Sequence, residues 1–159
     1  MKKGSTHFLR FATIFLGIIV LALCIALPSI YTGGSEEFPT ASRTLLIIIG
    51  ILYGTTVPFF FALWQTLKLL RYIDQNRAFS ELSVKALQNI KYSAIAITVL
   101  YLACAPFLIP IAEGDDAPGL VLMGAVLACF PLVIAVFAAV LQRLLQNAIG
   151  IKSENDLTV

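Results

Sequence analysis

Asp74-Gln-Asn-Arg-Ala-Phe-Ser-Glu-Leu-Ser-Val-Lys-Ala-Leu-Gln-Asn-Ile-Lys-Tyr92 is the one long, charged and well-punctuated segment in a chain of very apolar neighbours. Marking Lys, Arg, Asp and Glu outward from it leaves four charge-free runs: residues 11–35, 44–67, 92–112 and 117–142, of 25, 24, 21 and 26 residues. A helix needs about 20 apolar residues to cross about 30 Å of hydrocarbon at about 1.5 Å per residue, so every run is long enough. Within lipid a backbone must satisfy its own hydrogen bonds, which leaves helix as the open choice at this length. Soluble core helices rarely run this far without a charge on any face.

Composition agrees. Of 159 residues 59% are apolar and 13% charged, against about half and about a quarter in a soluble domain. The expected architecture is an all-α integral membrane domain of four transmembrane helices. The spans fall at about 8–30, 44–72, 91–112 and 118–143, with a connector over 74–90 and a polar tail over 151–159. The third helix starts in the connector, ahead of its membrane portion.

Basic residues set the expected orientation, because Lys and Arg are retained on the cytoplasmic side. Lys2, Lys3 and Arg10 lie in the N-terminal tail. Lys68, Arg71, Arg77, Lys85 and Lys91 surround the middle connector, and Arg143 and Lys152 lie toward the C-terminus. Arg43 alone falls on the other side, whose short connectors hold Glu36, Glu37, Glu113, Asp115 and Asp116. Both termini and the middle connector are therefore expected in the cytoplasm. Lys2 and Lys3 ahead of an apolar run also suit a signal peptide, but the run is too long for a usual signal core. Leu23 is too large for the position before a lipoprotein cysteine at Cys24.

Within the connector, Ser80 suits a helix N-cap and Glu81 the first turn, where a carboxylate complements the helix dipole. Phe79 and Val84 sit at the positions of a hydrophobic staple. Leu82, Ala86 and Ile90 recur on one helix face, and Lys85, Gln88, Asn89 and Lys91 take most of the other. The residues expected to face a partner are Arg77, Phe79, Ser80, Glu81, Leu82 and Lys85. For close helix packing the candidates are Gly50 with Gly54 and Gly124 with Ala128, both small-xxx-small pairs, and Ala135 with Ala139. Thr55-Thr56-Val57-Pro58 predicts a kink whose freed carbonyl the threonines rebond, and Pro131 a kink in the last span. Pro106 and Pro110 are expected to kink or end the third helix. Gly150 is expected to cap the fourth, with a mobile tail beyond it. Trp64 is expected near the inner interface, with Lys68 and Arg71 reaching the headgroups.

The chemistry that is missing narrows the function. No charged side chain falls at the centre of a span, which counts against a pump or an ion-coupled transporter. Cys24, Cys104 and Cys129 lie in apolar runs and give neither a disulfide framework nor a zinc pattern. His7 stands alone in a basic tail. No nucleophile–base pair, phosphate-binding glycine loop or metal spacing is present, so no catalytic residue, metal or cofactor is expected, and no direct contact with nucleic acid. The acidic residues Glu113, Asp115 and Asp116 read as a solvated topogenic loop rather than a cation site. The sequence does not set an oligomeric state.

Residues Tyr72 to Tyr92 and the ending Leu144 to Val159 resemble the bacterial membrane family called "domain of unknown function 2975". The most specific parts are Phe79-Ser80 followed by Leu87 and Ile90, and Glu154-Asn155-Asp156-Leu157. The resemblance covers nearly the whole chain. It implies a four-helix protein of the bacterial inner membrane, of undefined activity. Members of that family are often encoded beside a small helix-turn-helix regulator, which implies a regulatory protein partner. A non-enzymatic membrane partner or antagonist of such a regulator is thus the first expectation. The second, motivated by the kinked helices and close-packing glycines, is a passive transporter or a bacteriocin or membrane-stress immunity protein.

Overall fold

A computed structural model describes residues 3–34, 39–114 and 116–158, with backbone alone at 3, 30, 31 and 39–43. Lys2, Glu36, Glu37 and Asp115 lie outside the described residues, as do the side chains of Lys3 and Arg43. The four helices are α1 (Lys3–Gly34), α2 (Pro39–Asp74), α3 (Glu81–Gly114) and α4 (Gly119–Leu157). All four are long and apolar enough to cross a membrane. They run for 32, 36, 34 and 39 residues, about 48 to 58 Å each, and so exceed the hydrocarbon thickness at one or both ends.

Neighbours in sequence are neighbours in space. α1 packs on α2, α2 on α3, and α3 on α4, and among the described residues no other pair of helix backbones meets closely. The helices therefore form a row folded back and forth rather than a closed square. Two polar ties fix which helix ends lie together. Arg10 near the start of α1 donates to Asp74 at the end of α2 at 2.8 Å. Lys91 of α3 donates to Gln142 of α4 at 3.1 Å. The same end carries Lys68, Arg71, Arg77, Lys85 and Arg143, and it is called the basic end below.

The turns are made by the same device at both ends of α3. α2 stops at Asn76, which takes a left-handed conformation with φ 57°. The Asn76 and Arg77 amides then donate back to the Ile73 and Tyr72 carbonyls at 3.1 and 2.8 Å. This paired return is the Schellman motif, which occupies carbonyls that the helix end leaves bare. α3 stops at Asp116, φ 50°, with the Ala117 amide returning to the Ala112 carbonyl at 2.8 Å. Asn and Asp tolerate this region because their short polar side chains bond locally. Pro106 and Pro110 do not end α3, which continues through both to Gly114.

Small residues make up most of the core, and Leu70, Val84, Leu87 and Ile97 are buried with them. α3 buries Ser83, Ala86, Ala94, Cys104 and Ala112, and α4 buries Ala128, Pro131, Ala135 and Ala138. On α4 these fall on one stripe that begins at Gly124 and ends at Gln142. A Cβ placed on Gly124 would lie 2.7 Å from Leu108 Cδ1, so α3 and α4 touch there through the missing side chain. Lipid is as apolar as leucine, so helices in it associate through close packing and polar contacts, and small residues allow both. At Gly50 and Gly54 a Cβ would meet nothing within 4 Å, so those glycines face open space in the single chain. The glycine that admits a neighbour on the α1–α2 side is Gly17, whose Cβ would lie 3.3 Å from Leu63 Cδ1 and 3.7 Å from Phe60.

Hydroxyls inside the spans mostly bond back to their own helices. Thr13 donates to Leu9, Thr66 to Ala62, Ser93 to Asn89 and Thr98 to Ala94. Thr55 and Thr56 both donate to the Leu52 carbonyl, at 2.7 and 3.2 Å. The carbonyl that Pro58 frees belongs to Gly54, so the threonines do not serve it. The expected cap at Gly150 is absent: the residue is helical and α4 runs on to Leu157. A glycine inside a helix costs about 1 kcal/mol, less than the cost of nucleating a new helix beyond it.

Candidate functional site

The basic end is where the α2–α3 hairpin, α3 and the last turns of α4 converge. Its local geometry is fixed by one carbonyl. The Ser80 hydroxyl donates to the Arg77 carbonyl at 2.7 Å, and the Ser83 hydroxyl donates to the same oxygen at 3.2 Å. Ser80 does occupy the cap position, since its carbonyl accepts the Ser83 and Val84 amides at 3.0 and 3.2 Å. Its hydroxyl, however, points back into the hairpin instead of accepting an amide of the first turn. With the Schellman return at Asn76 and Arg77, these bonds leave the six residues from Gln75 to Ser80 little freedom.

The six candidate partner-facing residues fall into four groups around this lock. Arg77 is exposed, with its carbonyl engaged below it. Ser80 belongs to the lock. Glu81, Leu82 and Lys85 lie on the exposed side of α3, with Leu82 48% exposed. The buried side is turned by one position from the Leu82-Ala86-Ile90 stripe. Ser83 is 0% exposed, and Val84, Ala86 and Leu87 are buried with it. Size explains the turn: a serine allows the close hairpin that a leucine at the same position would hold apart.

Phe79 is different. It is 61% exposed while Val84 is buried, so the two do not close over one another as a staple. Instead Phe79 forms one wall of an apolar groove of about 430 Å³. Ile73 of α2, Leu87 of α3, and Leu141, Leu144 and Ala148 of α4 form the others. The turns of α4 ahead of Gly150 supply one of its walls. Lys91 and Gln142 lie within about one turn of its lining residues Leu87, Leu141 and Leu144, and Arg77, Lys85 and Arg143 are at the same end of the row.

Two further hollows lie between the helices. A side-opening groove of about 610 Å³ separates the basic halves of α1 and α2, with Gly17, Phe60 and Leu63 at its deep end and Trp64, Lys68 and Arg71 toward the basic end. Deeper in the row, a cavity of about 300 Å³ lies between α1, α2 and α3 and is lined by Cys24, Thr55, Thr56, Phe59 and Tyr101. Cys24 Sγ and Thr56 Oγ1 are 3.5 Å apart there, and Tyr53 donates to the Cys24 carbonyl. Among the described residues no cluster of His, Cys, Asp or Glu has the makings of a metal site. The residues that sequence reasoning passed over are Gly17 and Asn76. Gly17 has Thr13 at small-xxx-small spacing but not the second glycine that drew attention to Gly50. Asn76 carried a usable signal, an asparagine directly after a long apolar helix.

The family profile described as "Protein of unknown function (DUF2975)" matches residues 29–159. This is the family that Tyr72–Tyr92 and the C-terminal ending resemble. An uncharacterized membrane protein of Bacillus subtilis (strain 168), YoaS, is 52% identical over 160 residues, which span all of both chains. No solved structure matches.

Proposed function

This chain belongs to the DUF2975 family of proteins of unknown function, and on that premise we propose that it is a non-enzymatic, multi-pass protein of the bacterial cell membrane that docks a protein partner at its cytoplasmic face. Both termini and the α2–α3 hairpin stand on the cytoplasmic side, by the distribution of Lys and Arg. The partner that the family resemblance implies is a small helix-turn-helix transcription regulator, held at or released from the membrane. The observation that carries the reading is the groove beside Phe79. It is apolar, it is built on a hydrogen-bonded hairpin, and it extends outward from the level of the Lys91–Gln142 pair, where this topology puts headgroups and water. A large aromatic held open to water on a preorganised surface is the usual anchor of a protein interface.

Co-expression of the tagged chain with the adjacently encoded regulator, followed by capture from a mild detergent, tests it. The parent is expected to retain the regulator, and Phe79→Ala to lose it. Equal recovery with parent, Phe79→Ala and Leu82→Ala ends the proposal. The 300 Å³ cavity beside Cys24 supports a second reading, passage of or protection against a lipophilic compound. Unchanged sensitivity to membrane-active compounds and bacteriocins after deletion of the gene counts against that one.

A further inference from the structure

The geometry points to a binding site for one anionic phospholipid in the groove between α1 and α2, with its phosphate held by Lys68 and Arg71. The site is separate from the docking groove beside Phe79 and stands without it. Trp64, Lys68 and Arg71 follow one another at four- and three-residue intervals, which places them on one face of α2. That face lines the groove, and its deeper apolar walls are Ile18 and Leu21 of α1 and Phe60 and Leu63 of α2. Gly17 lets α1 lie against Leu63, so the slot closes at depth and opens to the side. The groove therefore has an apolar length and a cationic end, the two parts of a phospholipid. Its volume of about 610 Å³ falls in the usual range of small-molecule sites.

The charge at that end is uncompensated. Asp74, one turn beyond Arg71, is the nearest acidic residue along α2, and Arg10 holds it at 2.8 Å. That is the one ion pair among the described residues, so no carboxylate is paired with Lys68 or Arg71. Lys68 Nζ rests 5.3 Å from the centre of the Trp64 ring, a contact that orients the ammonium without discharging it. A neutral zwitterionic headgroup would bring its own cation against these two. A phosphodiester whose headgroup carries no cation leaves the whole negative charge for them. Phosphatidylglycerol is the probe of that chemistry.

The test is native mass spectrometry of the delipidated full chain in a neutral detergent, titrated with phosphatidylglycerol or phosphatidylcholine. The expected result is one retained phosphatidylglycerol at concentrations where phosphatidylcholine does not bind. At about 1 kcal/mol for each basic residue near an anionic lipid, Lys68→Gln with Arg71→Gln weakens phosphatidylglycerol binding about thirtyfold. Arg143→Gln, at the same end but outside the groove, leaves it unchanged. Deacylated glycerophosphoglycerol does not displace the lipid, because it cannot fill the apolar slot. Equal retention of the two lipids, unchanged binding in the double variant with helicity and melting preserved, or displacement by the deacylated headgroup each overturns the site.

Discussion

Phe79→Ala separates the proposed docking surface from the fold that presents it. Phe79 is 61% exposed on the basic-end groove. A phenylalanine has about 200 Å² to bury, so about 120 Å² remains for a partner to cover, and at about 25 cal/mol per Å² that contributes about 3 kcal/mol. Truncation should therefore weaken the regulator's affinity about a hundredfold, at about 1.4 kcal/mol per tenfold. The portion already covered within the chain is smaller, about 80 Å², which bounds the stability loss at about 2 kcal/mol. Leu82→Ala is the matched control. Leu82 is 48% exposed and three residues away, yet it does not line the groove. Its removal should change affinity by no more than about twofold. The assay is a titration of the labelled regulator against the chain in nanodiscs, with thermal melting of each variant alongside. An affinity within threefold of the parent for Phe79→Ala, or an equal loss for Leu82→Ala, refutes the assignment of the groove as the docking surface.

Three further outcomes follow from the same geometry. Asn76 holds φ 57°, so Asn76→Val should lower unfolding stability in a mixed-micelle denaturation by about 1–2 kcal/mol, whereas Asn76→Gly should not; equal losses would show that the left-handed turn is not what ends α2. Gly50→Ala and Gly54→Ala should each stabilise by about 0.5–1 kcal/mol because nothing lies within 4 Å of the added carbon, while Gly124→Ala should forfeit that gain against Leu108; destabilisation at Gly50 would reveal a second copy packed there. In a background with Cys24, Cys104 and Cys129 replaced by serine, a membrane-impermeant maleimide should label Asp116→Cys in intact cells and Phe79→Cys only after permeabilisation; the reverse pattern would invert the orientation.

The four helices were legible because lipid removes the competing choices: a charge-free run of 21 residues or more has no other way to pair its backbone. Which face of each helix turns inward was much less legible, and for the same reason. In water, burial selects apolar residues. In lipid, an exposed phenylalanine costs nothing, and Phe11, Phe130 and Phe137 are exposed while Ala94 and Ala128 are buried. Burial there favours small residues, and at the α2–α3 hairpin the Leu82 stripe misled because Ser83, not Leu82, is small enough to sit inside the close turn. Size alone also fails: Gly50 and Gly124 look alike in sequence, and only the course of the neighbouring helix decides that one is open and the other filled. Helix ends were obscured because Asn76 and Asp116 stop helices by backbone geometry, while prolines and Gly150 do not. The same logic gives Phe79 its weight. Its exposure would mean nothing among lipid chains, but it stands past the Lys91–Gln142 tie, and on the proposed topology apolar surface there faces water. An exposed aromatic at that level carries the hydration cost that exposed aromatics within the spans escape, and a docked partner would relieve it.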